Sequence, residues 1–471
     1  MAIIPLQHSK DNTIPSASGH SNSGPLFLVT VLFFMWGIIT CMNDILIPHF
    51  QQVFTLKNWQ AMLVQTAFFG AYFFISLLYY IISIKYGDPI RQIGYKKGII
   101  IGLAIAGIGC LLFYPAASLV SYSFFLFALF ILASGITLLQ IAANPYVTIL
   151  GKPDGASSRL NMTQAFNSLG TTIAPILGGF LIFRGVSENG LAIDLVKLPY
   201  LGLALTLFIL ALVCWFARLP EISTNQKLLQ QKGAMKFIHL RSGIIAIFAY
   251  VGAEVSIGSN LINFAQQDNI AGLDEASASH YLALFWGGAM VGRFFGAIAL
   301  GSFRSNWQRL ALILASGFVA LLALWLIYGS EIAGYGSLII MTNIAVILLG
   351  KFIPQRTLWM FATVTILLLL SGIFLQGHLA LWSVVAIGIF NSIMFPTIFS
   401  LAVKGLADYT SQASSLLVMA IVGGAIITPL QGLVADIFGS IQLGFIVPLI
   451  CYLYIVYFGF YGYIPSINKN I

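Results

Sequence analysis

The segment "GTTIAPILG" at residues 170–178 has a second copy, "GAIITPLQG" at 424–432, in the other half of the chain. Each copy follows a polar stretch of similar pattern, "GKPDGASS" in the first half and "GLADYTSQASS" in the second. Five residues of the first copy recur at a constant offset of 254 residues: Gly151, Asp154, Gly170, Pro175 and Gly178. The repeat indicates that the chain consists of two structurally related halves.

The composition places both halves in a membrane. Of the 471 residues, 59% are hydrophobic and only 8% are charged, and the mean hydropathy is +0.95. Fourteen apolar segments follow one another, from 26–48 to 441–463, and most approach the ~20 residues that a helix needs to cross the hydrocarbon core of a bilayer. This composition excludes a soluble globular protein. It predicts an all-α polytopic membrane protein.

The basic residues predict the orientation of the spans. If both termini are cytoplasmic, eighteen of the 22 Lys and Arg residues fall on the cytoplasmic side, and only Lys57, Arg184 and Lys197 fall in outer loops. Such an excess follows the positive-inside rule. It also accounts for the net charge of +8 without a nucleic-acid partner. We therefore expect fourteen spans with both termini inside.

The offset between the halves predicts an insertion. Matches early in the halves, such as Gly37 with Gly252 and Gly70 with Gly288, have offsets near 215 rather than 254. The difference is about the length of two helices, which gives two six-helix bundles and an inserted pair. The predicted layout is a tail (1–25), a first bundle (26–217), a cytoplasmic linker (218–242), a second bundle (243–463) with an inserted helix pair (309–350), and a C-terminal tail (464–471). A parallel repeat of six helices is the plan of the major facilitator transporters.

No motif for cofactor chemistry appears in the sequence. There is no phosphate-binding loop, zinc-ligand cluster or nucleophile triad, and the four cysteines are each in a separate apolar segment. Arg293, near the inner end of segment eight, is expected to snorkel or to order that helix end. Residues 1–24 lack the features of a secretory signal. The sequence predicts no cofactor, no metal and no enzymatic activity, so the driving force must be an ion gradient or the substrate gradient.

Two acidic residues are unusual because they lie deep in apolar segments. Twelve of the fourteen acids fall in loops, tails or span edges, whereas Asp44 and Glu254 do not. A charge in the membrane costs about 2.5 to 3.5 kcal/mol on insertion scales, so such residues usually face a cavity or a partner. A carboxylate removed from water also binds a proton more readily. Asp44 and Glu254 are therefore candidate proton-coupling residues, although surface capping of Asp44 and a structural hydrogen bond of Glu254 are alternatives.

Amide side chains are the second class of buried polar residues. Gln140 and Asn144 are spaced to share one face of a helix, as are Gln164 and Asn167. Together with other deep amides they predict a pocket that offers donors and acceptors to a neutral polyhydroxyl solute: Asn43, Asn260, Asn263 and Asn391. The alternative for each amide is an interhelical hydrogen bond. Four aromatic residues could stack on a sugar, but none is assigned individually: Trp36, Phe68, Trp286 and Trp382.

Five stretches resemble the fucose:proton symporter family of the major facilitator superfamily. They extend over essentially the whole chain apart from the N-terminal tail and the inserted pair: "MNDILIPHFQQVFTL" (42–56), "LLQIAANPYVTILG" (138–151), "SSRLNMTQAFNSLGTTIAPILGG" (157–179), "YVGAEVSIGSNLINF" (250–264) and "NSIMFPTIFSLAVKGL" (391–406). The resemblance implies that Asp44 takes part in proton coupling and that Gln140, Gln164 and Asn167 are at the sugar site. Fucose transporters of this family have a glutamate where Gln140 stands. Gln140 with Glu254 resembles the glucose/galactose branch, in which Glu254 is a candidate second acid.

The expected function is import of glucose or galactose with protons across a bacterial inner membrane, by alternating access and as a monomer surrounded by lipid. Sodium-coupled or uncoupled transport, with fucose or N-acetylglucosamine as substrate, is the alternative within transport. A membrane sugar sensor or a membrane-embedded enzyme is the alternative outside it. The duplicated bundles without a catalytic constellation favour transport.

Overall fold

The computed structural model describes residues 23–86, 89–150, 156–183, 192–220, 234–299, 305–406 and 410–465. Within these ranges the chain is helical without any β-strand, and thirteen helices are long and apolar enough to cross a membrane. The predicted all-α membrane class is confirmed. The tail 1–22, most of the linker and residues 466–471 lie outside the described residues.

The described part of the first half contains nine α-helices, several of which join end to end within one span. In chain order they are α1 (Ser23–Val53), α2 (Asn58–Ala61), α3 (Leu63–Tyr86), α4 (Pro89–Ile93), α5 (Tyr95–Leu111), α6 (Phe113–Ser118), α7 (Tyr122–Ile149), α8 (Ala156–Gly178, extended by a π-helical turn, Gly179–Phe183) and α9 (Lys197–Phe216). In this half α1 packs on α8, α3 on α7, and α5 on α9.

The second half repeats this packing. Its helices are α10 (Ile238–Gln266), α11 (Glu275–Ala299), α12 (Asn306–Leu349), α13 (Pro354–Phe374), α14 (Gly377–Asn391), α15 (Met394–Ala402), α16 (Thr410–Met419), α17 (Gly423–Phe438), α18 (Ile441–Gly444) and α19 (Ile446–Tyr457). Here α10 packs on α17, α11 on α14, and α13 on α19. With α12 set aside, both bundles pair the first span with the fifth, the second with the fourth and the third with the sixth.

Matched glycines allow the first and fifth spans to approach closely in each bundle. A Cβ atom on Gly37 of α1 would lie 2.1 Å from the backbone oxygen of Asn167 on α8. A Cβ atom on Gly252 of α10 would lie 2.3 Å from the side chain of Ile427 on α17. Neither position has room for a larger residue, which explains why this glycine recurs in the two halves.

Helix α12 is a hairpin rather than one straight helix. Its 44 residues would extend about 66 Å at 1.5 Å per residue, twice the hydrocarbon thickness. At Gly329 the backbone leaves the helical conformation (φ 83°, ψ −176°), and the two arms then pack on each other, with Gly317 facing Ile340 and Gly336 facing Leu324. The arms correspond to the two segments predicted at 309–328 and 334–350.

The hairpin lies at the periphery of the second bundle. It packs mainly on α11 and touches α13 and α14 less extensively. Only 11% of an apolar 18-residue stretch of the hairpin is buried inside the protein, whereas 83% of the corresponding stretch of α10 is buried. The inserted arms therefore do not take part in the seam between the bundles. That seam is formed by α11 against α8 and by α17 against α2 and α3.

Candidate functional site

Asp44 is a buried carboxylate at the seam between the bundles. Its side chain is 3% exposed. Oδ1 accepts hydrogen bonds from Gln65 Nε2 at 2.8 Å and from Ser259 Oγ at 2.9 Å. Oδ2 accepts from Trp286 Nε1 at 3.2 Å and, weakly, from the Cys41 thiol at 3.7 Å. All four donors are neutral, and among the described residues no basic side chain balances the charge of this carboxylate.

These donors come from both halves of the chain. Cys41 and Gln65 belong to the first bundle, on α1 and α3, whereas Ser259 and Trp286 belong to the second, on α10 and α11. Counted along their spans, Asp44 and its partners from the other helices lie about 10 to 17 Å from the ends at the turns 54–57 and 267–274. We call this end the predicted outer face. The carboxylate thus bridges the bundles in the half of the membrane nearer the predicted outer face.

Glu254, the second deep acid, has different neighbours. Its side chain is 9% exposed, and its Oε1 has no hydrogen-bond partner among the described residues. The carboxylate lies within hydrogen-bonding reach of the Tyr250 hydroxyl one turn earlier and interacts electrostatically with Arg293. Tyr250 also donates to the backbone oxygen of Asn391 at 3.0 Å. This acid therefore has a cationic neighbour and a connection within its own bundle.

Arg293 crosses the seam farther from the predicted outer face than Asp44 does. Its Nη1 donates to Ser168 Oγ on α8, in the first bundle. The guanidinium group of Arg293, which the sequence predicts either to snorkel or to order its helix end, binds the buried hydroxyl group of Ser168 in the other bundle. The arginine therefore connects α11 of the second bundle to α8 of the first.

The predicted sugar-binding amides of the first bundle divide into two groups. Gln140 Nε2 donates to the Tyr72 hydroxyl at 2.8 Å, and that hydroxyl also interacts with Trp36 and Thr40 of α1. Asn167 uses its Nδ2 to bind the backbone oxygen of Phe33 at 2.9 Å, an interhelical bond that fastens α8 to α1.

The remaining two predicted amides of α7 and α8 are Asn144 and Gln164. Gln164 is half-buried on α8, and Asn144 on α7 keeps a buried Oδ1 without a partner among the described residues. Asn144 thus has hydrogen-bonding capacity left for a solute. Asn167 retains its Oδ1 for that purpose, since the described bond uses its amide nitrogen.

Three further predicted amides are deeply buried with free hydrogen-bonding capacity. Neither amide atom of Asn43 has a partner among the described residues, although the side chain is fully buried. Asn260 donates to the Ser256 backbone oxygen at 2.8 Å but keeps a free Oδ1. Asn391 accepts from Tyr452 at 2.6 Å but keeps a free Nδ2. An unpaired buried amide costs free energy, and a bound hydroxyl group would satisfy it.

Hydrogen bonds close the seam at the predicted outer face. The Asp436 carboxylate on α17 accepts from the backbone amides of Asn58 and Trp59 at 3.0 and 2.9 Å, and from Asn58 Nδ2 at 2.8 Å. Asn263 Nδ2 donates to Gln51 Oε1 at 2.6 Å, again from one bundle to the other. The sequence placed Asp436 at a span edge without a role. Nothing local to Asp436 could reveal that its partners lie nearly 380 residues earlier in the chain.

Sequence reasoning missed four residues of the site: Gln65, Tyr72, Ser259 and Arg293. Trp286 was considered as a stacking residue rather than as a hydrogen-bond donor to an acid. Ser259 gave a weak signal because it is next to Asn260 in a polar turn of an apolar helix. Within the described ranges, no group of three or more His, Cys, Asp or Glu residues is placed to hold a metal ion. All four cysteines are buried and unpaired.

Comparisons with known proteins agree with this architecture. A family model described as Major Facilitator Superfamily matches residues 26–350. A protein named glucose/galactose transporter from Brucella abortus is 47% identical over 452 residues, covering 94% of this chain and 96% of the relative. The L-fucose-proton symporter of Escherichia coli is 32% identical over 481 residues, covering 96% and 97%. A crystal structure of FucP in the outward conformation superposes with a TM-score of 0.63 at 30% identity, covering 94% and 99%.

Proposed function

The chain belongs to the fucose:proton symporter family of the major facilitator superfamily, on the branch of the glucose/galactose transporters, and from this membership we propose that it couples proton entry to the import of glucose, galactose or both. It is a multi-pass membrane protein and a sugar transporter, not an enzyme. We propose glucose or galactose as the sugar and the proton as the coupling ion. We also propose that the protein lies in the inner membrane of a bacterium.

The environment of Asp44 is the observation that carries proton coupling. A group that carries a proton through a transport cycle must be able to exist in both the charged and the neutral form. A fixed cation beside the carboxylate would hold it charged. Asp44 has only neutral donors, so its charge is balanced by hydrogen bonds that belong to one arrangement of the bundles. When the bundles move, these bonds change, and proton affinity changes with them.

The amide residues support a neutral sugar as substrate. Gln140, Tyr72, Asn144 and Asn167 provide donors and acceptors without a net charge, which suits hydroxyl groups better than an ion. Gln140 stands where the resemblance places a glutamate in fucose transporters. The more similar relative is named for glucose and galactose, whereas the fucose symporter is more distant. Glucose and galactose are therefore proposed ahead of fucose and N-acetylglucosamine.

Purified protein in proteoliposomes tests the proposal directly. Uptake of labelled glucose, galactose, fucose and N-acetylglucosamine is measured with an imposed inward proton gradient, with a sodium gradient, and with neither. We expect glucose or galactose to accumulate with the proton gradient only. Accumulation driven by sodium would overturn proton coupling, and accumulation of fucose alone would overturn the substrate assignment.

Orientation and oligomeric state are also parts of the proposal. Both termini are proposed to be cytoplasmic, as the distribution of basic residues predicts. Single-cysteine labelling in a cysteine-free background tests this, with Asp274→Cys accessible from outside and Lys232→Cys from inside. The functional unit is proposed to be a monomer surrounded by lipid, because the site lies between the two bundles of one chain.

A further inference from the structure

Two of the four donors to Asp44 come from the opposite bundle, and this arrangement suggests how seam closure acts on the proton. We propose that Ser259 and Trp286 are positioning residues through which closure of the seam at the predicted outer face favours the charged form of Asp44, so that the proton is released towards the other side. This inference rests on the proposed function. It assigns a role to two residues that do not themselves carry the proton or the sugar.

The hydrogen-bonding capacity of each neighbour supports the assignment. The indole N–H of Trp286 can only donate, so it binds a carboxylate oxygen but offers nothing to the proton of a carboxylic acid. Ser259 Oγ already accepts a hydrogen bond from Gln65 Nε2 at 2.9 Å. The hydroxyl group donates its own hydrogen to Asp44 Oδ1. Both residues from the second bundle thus favour the carboxylate over the carboxylic acid.

Gln65 can both donate and accept a hydrogen bond, so it is not one of the proposed positioning residues. Its Nε2 donates to Asp44, while its Oε1 is buried and has no partner among the described residues. A rotation of the amide would present Oε1 to the carboxyl group as an acceptor. Gln65 can therefore serve the charged form and the neutral form in turn. The preference for the charged form must come from Ser259 and Trp286.

The two donors move together when the seam opens. Ser259 on α10 and Trp286 on α11 belong to one bundle, and their helices pack on each other. Gly258 helps to fix the indole, because a Cβ atom at this position would lie 3.2 Å from the Trp286 ring. Opening the seam removes both donors from Asp44 and leaves the weak Cys41 donor and Gln65, which can hydrogen-bond to either form of the carboxyl group. The state of the seam and the charge of Asp44 are then linked.

In the part of the chain that the structure describes, no charged group in contact with the carboxylate accounts for a pH effect. The neighbours from α3, α10 and α11 are Gln65, Ser259 and Trp286, none of which titrates in the relevant range. On α1 itself the titratable neighbour is the Cys41 thiol, which donates weakly to Oδ2. The variant Cys41→Ser keeps a donor there and serves as a check on that group.

The test measures how uptake depends on internal pH. Proteoliposomes are prepared over a series of internal pH values at one fixed acidic external pH, and initial sugar uptake is recorded. We expect Ser259→Ala and Trp286→Phe to shift the half-maximal internal pH upwards by about one unit, because losing a hydrogen bond to a charged group weakens proton release. Ser259→Thr, which keeps the hydroxyl group, should restore the profile.

A matched control separates this role from a structural one. Ser256 is a buried serine on the same helix, but its hydroxyl donates to the Ala253 backbone oxygen at 3.2 Å. Ser256→Ala should leave the half-maximal pH unchanged. If Ser259→Ala and Trp286→Phe lower uptake equally at every internal pH, or match the unmodified protein, the inference is overturned. If the unmodified protein shows no proton-driven uptake at all, the proposed function fails instead. Trp286→Phe decides the matter if Ser259→Ala does not fold.

Discussion

Asp44 and Glu254 are both carboxylates buried in the membrane, yet their surroundings differ in kind. Asp44 accepts hydrogen bonds from neutral donors on both bundles. Glu254 has the Arg293 guanidinium group as a neighbour and connects to Tyr250 within its own bundle. A nearby cation favours the charged form of a carboxylate, whereas a carboxylate with only neutral donors can change its charge when those donors move. The comparison therefore favours Asp44 for proton transfer and an electrostatic role beside Arg293 for Glu254.

The most direct test of this difference between Asp44 and Glu254 is to neutralise each acid separately. We expect Asp44→Asn to abolish accumulation against a gradient, because an amide keeps the shape but cannot release a proton. Counterflow exchange of sugar should persist, since exchange does not require the proton to leave. Glu254→Gln should still concentrate sugar in response to an imposed pH gradient. If Asp44→Asn accumulates sugar and Glu254→Gln does not, the roles are reversed.

The sequence alone predicted both acids but could not distinguish them. Depth in an apolar segment is visible from hydropathy, and so Asp44 and Glu254 were found together. Their partners were not found, because Ser259 lies 215 residues from Asp44 and only the packing of the bundles brings them together. The fold was easier to predict from the sequence, because the repeated glycines Gly37 and Gly252 reflect the same helix contact in each bundle.

The inserted hairpin is a second case in which the sequence predicts the helices but not their position in the fold. Two apolar segments separated by a short break predicted two helices, and the backbone of Gly329 provides that break. The sequence could not show that the pair lies outside the seam, because an apolar surface can face lipid or another helix equally well. Its position follows from the helices it contacts, mainly α11.

The second prediction tests whether Glu254 and Arg293 depend on each other. Removing the cation with Arg293→Gln should destabilise the protein by about 1 to 3 kcal/mol, because the Ser168 hydroxyl loses its charged donor and the buried Glu254 carboxylate loses a nearby positive charge. The double variant Arg293→Gln with Glu254→Gln should recover most of that loss. Thermal unfolding in detergent measures both, with Arg293→Lys as the charge-conserving control. Equal melting temperatures for the Arg293→Gln variant and the unmodified protein would show that no such dependence exists.

A third prediction concerns sugar binding in the first bundle. Gln140→Ala should weaken sugar affinity by about 1 to 3 kcal/mol, because the Tyr72 hydroxyl and the sugar lose an amide partner in a dry site. Asn167→Ala is a useful comparison: its Nδ2 already binds the Phe33 backbone oxygen and only its Oδ1 remains for the sugar, so the substitution should lower stability as well as affinity. Calorimetry on purified protein measures the affinities. Unchanged affinity in Gln140→Ala would remove this residue from the site.

The smallest expected effect comes from Asp436, which fastens the seam on the outer side of Asp44. If seam closure brings Ser259 and Trp286 to Asp44, loosening the seam elsewhere should affect the proton in the same direction. Asp436→Asn keeps one oxygen acceptor for α2 but loses the charge and one of the oxygens that bind Asn58 and Trp59. Weakening an acceptor for the first backbone N–H groups of a helix, here those of α2, costs about 1 kcal/mol. The half-maximal internal pH should therefore rise by about half a unit.

Asp268 provides the control for that experiment, because it is an exposed acid on the same face. Asp268→Asn removes the same charge from the predicted outer face without touching the seam, so it should leave the pH profile in place. A shift of equal size in both variants would mean that surface charge, rather than seam closure, sets the profile. A shift in Asp436→Asn alone would connect a hydrogen bond at the membrane surface to a carboxylate that it never contacts. The neutral surroundings of Asp44 would then be what makes that carboxylate responsive to the position of the second bundle.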